Sequence, residues 1–181
     1  MKLKSLLLAT LLALSLSNGL TSPAFAAESA RIANPLVDFA GHKDAVLAVE
    51  KLRSTRVVSE TEFLRLAREP GTVVLDARSA AMFQRLHLKG AVNLGFPDFT
   101  ADTLARMIPE KTTRVLIYCN NNFTGSPSAF PAKRAEIALN LSTYVALHAY
   151  GYDNVFELGP LLDVKTTRLP LEGSEFPALV P

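Results

Sequence analysis

The residue type best suited to nucleophilic chemistry in this sequence is cysteine, and the 181 residues contain one, Cys119. It directly follows an apolar run at residues 115–118 and precedes a polar, asparagine-rich segment at residues 120–125. An apolar run bounded by turn residues predicts a buried strand of a parallel sheet, and ligands bind beyond the carboxyl ends of such strands. Cys119 is therefore a candidate nucleophile. The alternative is that its thiol serves as a small buried hydrophobe.

Residues 1–26 have the layout of a secretory signal peptide. Two lysines form a basic start, residues 6–16 are apolar, and Ala24 and Ala26 supply small residues before a cleavage site. The apolar run is shorter than the about 20 residues that a membrane span requires. We therefore predict cleavage after Ala26, a periplasmic or secreted protein, and no stable membrane insertion of the mature chain.

Composition narrows the function classes. The sequence has 19 basic and 17 acidic side chains, and two of the lysines belong to the predicted signal, so the mature chain would carry a net charge of about zero. Nothing in that balance indicates a nucleic-acid surface. An odd cysteine in an exported protein indicates a reactive thiol. The histidines lack metal-ligand spacing, so we predict no metal site and no cofactor; they are His42, His87 and His148.

Strand and helix patterns alternate along most of the chain. The predicted strands are residues 57–58, 72–76, 92–94, 114–118 and 154–158, and the predicted helices are residues 59–67, 79–86, 101–108 and 142–150. This order predicts an α/β domain with a mainly parallel central sheet and helices on both faces.

The same patterns divide the mature chain into three parts. Residues 27–56 form an N-terminal lead with a peripheral helix at 43–53, and residues 57–162 form the main domain. Residues 163–181 form a mostly irregular tail, in which residues 166–171 are a candidate edge segment. Ser59 followed by Glu62 predicts a capping box at the first helix of the main domain.

Six motifs within residues 57–162 occur in the order found in the rhodanese family of sulfurtransferases, which the chain resembles. They are the capped helix at 59–66, the strand ending in Asp-Ala-Arg at 76–78, His-Leu-Lys-Gly-Ala-Val-Asn at 87–93, the strand leading to Cys119, Gly-Tyr-Asp-Asn-Val at 151–155, and Glu-Leu-Gly at 157–159. The resemblance implies the family's parallel α/β fold.

The resemblance also implies a persulfide mechanism centred on Cys119. Its thiolate would take the outer sulfur of a small donor such as thiosulfate and pass it to cyanide or a thiol acceptor. The residues expected to bind the substrate are those of the following loop, Asn120, Asn121, Asn122, Phe123, Thr124 and Gly125. Asp76 and Arg78 resemble the pair that supports a neighbouring loop; the alternative is an ordinary ion pair at a strand end.

The loop after Cys119 departs from the family pattern. Residues 120–125 contain no cation, and an insertion at about 125–141 separates Cys119 from the next predicted helix. Within the insertion, Lys133 and Arg134 could fold over the thiolate as a lid or face water. The three asparagines could donate hydrogen bonds to a substrate or hold the loop in shape.

A cysteine at this position could serve three other functions. Phosphatases of this fold need an arginine six residues after the cysteine, where this chain has Gly125, so we exclude phosphatase chemistry. Redox sensing by Cys119 has no resolving cysteine to complete a disulfide. Redox sensing is therefore the weaker alternative, and the main one is a non-catalytic rhodanese-like module whose remodelled loop binds a protein partner or a small ligand.

Overall fold

The computed structural model describes residues 34–176. The predicted signal peptide, the start of the lead and the last five residues lie outside this range. The chain divides into two compact units, residues 1–38 and residues 39–181. In the first unit, the described residues form a short turn in which Asn34 accepts a hydrogen bond from the backbone N–H of Leu36 at 2.9 Å. The fold described below is that of the second unit.

The second unit is built on a parallel sheet of five strands. The strands are β1 Val57–Val58, β2 Val73–Asp76, β4 Val92–Asn93, β5 Val115–Tyr118 and β7 Val155–Leu158. Their order across the sheet is β1, β7, β5, β2, β4, so β5 lies at the centre, and all four of its residues are buried. The register pairs Tyr118 with Asp76 of β2 and Ile117 with Glu157 of β7. The sheet therefore delivers Cys119 between the ends of two neighbouring strands.

Two further pairs of short strands lie outside this sheet. Strand β3, His87–Leu88, is antiparallel to β9, Leu171–Glu172. Strand β6, Phe123–Thr124, is parallel to β8, Leu162–Asp163. The edge segment was predicted at residues 166–171, whereas the observed strand is β9 at residues 171–172. Its position is set by its pairing with β3. Side chains of this region join the core and are buried: Val164, Leu169 and Leu171.

Helices cover both faces of the sheet. They are α1 Phe39–Arg53, α2 Glu60–Ala67, α3 Ala80–Arg85, α4 Ala101–Met107 and α5 Leu139–Ala149. On one face, α2 packs on Leu116 and Tyr118 of β5; on the other, α1, α4 and α5 pack on Val115 and Ile117. This alternation follows from the period of two in a strand, and the fold class predicted from the sequence is confirmed.

Helix boundaries differ from the sequence predictions at two places. Helix α1 begins four residues before the predicted start and is not fully peripheral, because Val49 is buried in the core beneath it. Helix α5 begins at Leu139 rather than at Ser142, and Asn140 in its first turn is buried. The start of α5 was not predicted because Asn140 is polar, and a polar residue at a buried position interrupts the apolar pattern of a helix.

Three of the helices have a residue with a hydroxyl side chain at the N-cap position. Ser59, Ser79 and Thr100 each accept a hydrogen bond from a backbone N–H of the first turn, as N-caps do. Ser59 makes its half of the predicted capping box, but Glu62 pairs with Arg65 instead of returning to the cap. None of the described helices is long and apolar enough to cross a membrane.

Candidate functional site around Cys119

Cys119 lies at the carboxyl end of the central strand β5, as the sequence predicted for a buried parallel strand. Its residue surface is 1% exposed, so the thiol is covered in this structure. Because the residue faces neither bulk solvent nor an open cleft here, its chemistry depends on the groups that surround the sulfur and on whether the covering residues can move.

Backbone N–H groups from two chain segments face the sulfur of Cys119. They belong to Asn140 and Leu139 at the start of α5 and to Asn121 in the loop after β5. Ala138, the residue before α5, offers no side-chain cap. The first N–H groups of a helix have no partners within the helix, and they favour a negative charge close to the helix N-terminus. The sulfur of Cys119 occupies that position.

Opposing effects act on the ionisation of Cys119. Burial raises the pKa of the thiol, the N–H groups of Asn140, Asn121 and Leu139 lower it, and the charge of Glu157 raises it. Burial prevails, and the pKa lies above the ordinary value for cysteine. In the covered state the thiol is therefore protonated at neutral pH. Opening the site to water would remove the main obstacle to ionisation.

The asparagines of the loop make hydrogen bonds within the protein. Asn122 accepts from the backbone N–H of Cys119 at 2.9 Å and from Nδ2 of Asn140 at 3.0 Å, and it donates to the carbonyl oxygen of Leu158 at 2.7 Å. Asn121 exchanges two hydrogen bonds with the backbone of Lys133, both at 2.9 Å. Asn120 is also buried. In this state the side chains of Asn121 and Asn122 hold the loop in shape.

The remaining loop residues also contact the protein. Phe123 packs edge-on against Tyr118 and in a tilted arrangement against Phe130. Thr124 donates to the carbonyl oxygen of Leu162 at 3.3 Å. Gly125 has a positive φ of 89°, which glycine adopts without strain. A direct role of residues 120–125 in substrate binding stays a prediction.

Asp76 and Arg78 form a buried pair that reaches the insertion. Nη2 of Arg78 lies 2.6 Å from Asp76, and Nη1 donates to the carbonyl oxygen of Ala129 at 2.8 Å. The hydroxyl of Tyr118, the residue before Cys119, donates to the same carboxylate of Asp76. Arg78 thus links the end of β2 to the chain that follows the cysteine, and support of the loop by this pair stays a prediction.

The insertion between β6 and α5 contains both anchored and exposed residues. Ala129 and Phe130 are buried, whereas residues 132–137 are exposed and include a short 3₁₀ turn, Ala135–Ile137. The side chain of Arg134 pairs with that of Glu136 at 3.5 Å, with both more than two-thirds exposed. Lys133 is exposed as well, and its backbone is held by Asn121.

One group near the thiol was not predicted from the sequence. Glu157 lies in β7, is 7% exposed, and forms a two-point ion pair with Arg53 of α1. A carboxylate inside an otherwise apolar strand with both faces covered needs a cation nearby. The position of Glu157 in the apolar run Val-Phe-Glu-Leu could therefore have indicated that a cation lies nearby. It could not have identified Arg53, which lies 104 residues earlier in the chain.

Comparison with known proteins agrees with this architecture. The sequence profile of the rhodanese-like domain matches residues 59–158. The chain belongs to the family of rhodanese-like domain proteins. No curated protein matches the sequence.

Several solved structures are similar to the chain. The BH2092 protein of Bacillus halodurans has 20% identity and a TM-score of 0.48, with 71% of this chain and 82% of that chain covered. A rhodanese-like domain from an Anabaena protein has 20% identity and a TM-score of 0.48, with 67% and 81% covered. A rhodanese with anions from E. coli has 22% identity and a TM-score of 0.39, with 57% and 99% covered.

Proposed function

We propose that this protein transfers sulfane sulfur through a persulfide on Cys119. The observation that carries the proposal is the convergence of the N–H groups of Asn121, Leu139 and Asn140 on the sulfur at the end of β5. These groups favour the thiolate over the thiol, and the thiolate is the form that attacks a sulfur donor. Membership of the rhodanese-like family supports the same chemistry.

The first step is the attack of the Cys119 thiolate on the outer sulfur of a donor. With thiosulfate, the new S–S bond forms as the bond between the outer and central sulfur atoms breaks. The electron pair of that bond leaves with sulfite, and the protein retains Cys119–S–S⁻. No further oxidant or reductant is needed, because the donor brings the sulfur in its zero-valent form.

The second step returns the cysteine to its starting state. A thiophilic acceptor, cyanide or a thiolate, attacks the terminal sulfur of the persulfide. The S–S bond breaks with its electron pair on Cys119, giving thiocyanate or a new persulfide. The N–H groups of Leu139 and Asn140 at the helix N-terminus face the sulfur of Cys119, which takes up the negative charge as the S–S bond breaks.

Access to Cys119 requires movement of the covering chain. The thiol is 1% exposed, so a donor cannot contact it in the closed arrangement. The two hydrogen bonds between Asn121 and Lys133 tie the loop after the cysteine to the exposed part of the insertion. We propose that breaking this tie is the opening step and that thiolate formation follows it.

The charge around the site favours donors with little negative charge. The loop of residues 120–125 contains no cation, and the carboxylate of Glu157, although paired with Arg53, still opposes negative charge at Cys119. Thiosulfate is a dianion, whereas an aromatic thiosulfonate is a monoanion that supplies the same sulfane sulfur. We expect the thiosulfonate to be the better donor by about tenfold in kcat/KM, a difference of about 1.4 kcal/mol.

Steady-state formation of thiocyanate tests this function. With benzenethiosulfonate and cyanide, the wild-type protein should give the parallel double-reciprocal lines of a two-step transfer, and Cys119→Ser should give no thiocyanate above buffer. Lack of turnover with thiosulfate, benzenethiosulfonate and a low-molecular-weight persulfide, in a folded wild-type protein, would contradict the proposal.

The alternative function is a non-catalytic rhodanese-like binding module. The observation that favours it is the burial of Cys119 together with the use of Asn121 and Asn122 for internal hydrogen bonds. A module of this kind would bind a protein partner without consuming sulfur. It predicts that Cys119→Ser leaves partner binding unchanged and that the wild-type protein accepts no sulfur from any donor.

We also propose that the protein is exported, with cleavage after Ala26. Expression of the full chain in a bacterium, followed by fractionation and N-terminal sequencing, tests this directly. The expected mature protein begins at Ala27 and lies in the periplasmic or culture fraction. Recovery of the uncleaved chain in the cytosol would contradict export. The proposed partners are a small sulfur donor and a thiol or cyanide acceptor, with no nucleic acid.

A further inference from the structure

We propose that Arg53 is a positioning residue for Cys119, acting through Glu157: it binds the carboxylate and offsets its charge, so that Cys119 can ionise. Arg53 is the last residue of α1, which precedes the family-matched segment of residues 59–158. The proposal therefore gives this additional helix a role at the site. It rests on the proposed role of Cys119 as a nucleophile.

The contact between Arg53 and Glu157 is specific in geometry. Nε of Arg53 lies 2.6 Å from Oε2 of Glu157, and Nη2 lies 3.0 Å from Oε1. This fork-to-carboxylate arrangement fixes the orientation of the carboxylate as well as its charge. The side chain of Glu157 is 9% exposed and that of Arg53 is 30% exposed, so solvent screens the pair only in part.

A continuous line of hydrogen bonds runs from this pair to the cysteine. Nδ2 of Asn140 donates to Oε1 of Glu157 at 3.4 Å and to Oδ1 of Asn122 at 3.0 Å. The same Oδ1 of Asn122 accepts from the backbone N–H of Cys119 at 2.9 Å. Asn140 also supplies one of the backbone N–H groups that face the sulfur. A change at Glu157 therefore acts on Cys119 through charge and through the position of Asn140.

The charge of Glu157 opposes ionisation of its neighbour. It raises the pKa of Cys119, after the larger effect of burial. The hydrogen bond to Glu157 raises the pKa of Arg53 despite partial burial, so the guanidinium stays charged. Removing the arginine would leave a buried carboxylate without a cation beside a thiol that must become an anion.

Other charged and titratable groups surround the pair on each packed element. On α5, Tyr144 interacts electrostatically with both Arg53 and Glu157, and burial raises the pKa of Tyr144 to about 12, so it is neutral where thiols titrate. On α1, His42 and Glu50 line the same groove as Arg53. Arg56 and Asp153 also act electrostatically on Tyr144. The insertion carries three exposed charged residues, Lys133, Arg134 and Glu136. Strand β2 ends at the buried ion pair of Asp76 and Arg78.

The test is a direct titration of the single thiol by its thiolate absorbance at 240 nm. Each variant is measured beside the same variant that also carries Cys119→Ser. Subtracting the second absorbance curve from the first removes the contribution of ionising tyrosines. The variants are Arg53→Gln, Arg53→Lys, Glu157→Gln and the double change of Arg53→Gln with Glu157→Gln. Arg65→Gln is the matched control, because Arg65 is paired on the exposed face of α2. No sulfur donor is used, so the result is independent of sulfur transfer.

We expect Arg53→Gln to raise the midpoint by about one pH unit, which means about tenfold less thiolate below the midpoint. Arg53→Lys should lie near wild type, Glu157→Gln should lie below it, and the double variant should return toward it. The control should not move. A purely structural role predicts instead that all variants shift alike toward an exposed thiol.

Either of two outcomes would overturn the proposal. The first is an unchanged or lowered midpoint in a folded Arg53→Gln protein. The second is a midpoint in Glu157→Gln that equals or exceeds that of wild type, and it applies even where Arg53→Gln does not fold. Failure of sulfur transfer with the expected midpoints would instead contradict the proposed function and leave this inference standing.

Discussion

Arg78 donates a hydrogen bond from Nη1 to the carbonyl oxygen of Ala129 at 2.8 Å, across 51 positions of sequence. Its other guanidinium contacts are to Asp76 and to the carbonyl oxygen of Leu86, so the cation is fully engaged within the protein. Both Arg78 and Ala129 are buried. The end of β2 is thereby joined to the insertion that follows Cys119, and stability of the fold is coupled to the position of that segment.

Loss of the Arg78 cation should destabilise the protein strongly. Arg78→Met leaves Asp76 as a buried charge without its partner and frees the carbonyl oxygen of Ala129, so we expect a loss of about 3–5 kcal/mol in the free energy of unfolding. Urea unfolding measures it. The control Arg65→Met removes two surface ion pairs, with Glu62 and Glu69, and should leave stability nearly unchanged. Equal effects of the two changes would contradict the structural role of Arg78.

Substitution of Gly125 should destabilise the protein more than substitution of Gly71, a glycine that also has a positive φ but has no close neighbours. A Cβ at Gly125 would meet Asp163 Oδ1 and Val164 Cγ2, both at 2.9 Å, whereas at Gly71 it would meet nothing within 4 Å. Both residues have positive φ. Gly71→Ala should cost about 1–2 kcal/mol for the backbone alone, and Gly125→Ala about 2–4 kcal/mol in urea unfolding. The difference between the two losses of stability measures how tightly the end of β6 packs on β8. Equal losses would contradict that packing.

Release of the insertion should expose the cysteine. Asn121→Ala removes both hydrogen bonds to Lys133, each worth about 1 kcal/mol, so alkylation of Cys119 by iodoacetamide should accelerate about thirtyfold. Asn154→Ala is the control, because Asn154 likewise donates to a backbone carbonyl, that of Thr112, but lies at the other end of the sheet. If both variants react at the wild-type rate, the contact between Asn121 and Lys133 does not control access.

Stability should fall at alkaline pH because of Cys119. Burial raises the pKa of the folded thiol above its unfolded value, so the folded state holds the proton more tightly. The stabilisation is complete below the unfolded pKa, about 8.5, and is lost as pH rises through the folded pKa. In urea unfolding under reducing conditions, the wild-type protein should lose more stability than Cys119→Ser between pH 8 and pH 10. Parallel pH curves for the two proteins would show that the thiol is not buried in solution.

Much of the fold was accessible from the sequence because its signals are local. Residues 73–76 and 115–118 are strands as expected, and Ser59, Ser79 and Pro70 mark helix ends that the structure places within three residues. Cys119 at the end of a central strand followed from the same reasoning. These features depend on neighbouring residues, whose periodicity and caps can be read directly.

The features that escaped prediction depend on distant partners. Leu171 lies in the predicted edge segment, but its pairing with Leu88 sets the position of the strand, and no local pattern indicates that pairing. The start of α5 at Leu139 depends on Asn140, which is stabilised at a buried position by Asn122 and Glu157. The path of the insertion, which the sequence left open between a lid and a solvated loop, depends on distant contacts such as that between Ala129 and Arg78.

Intact-mass analysis after incubation with benzenethiosulfonate tests the central claim most directly. The folded protein has one thiol, so sulfur transfer through Cys119 predicts a gain of one sulfur atom on the wild-type chain, its removal by cyanide, and no gain on Cys119→Ser. Asn121→Ala should gain the sulfur faster than wild type. A wild-type mass that stays unchanged with this donor, while Asn121→Ala is alkylated at Cys119 but also gains no sulfur, would contradict a persulfide on Cys119.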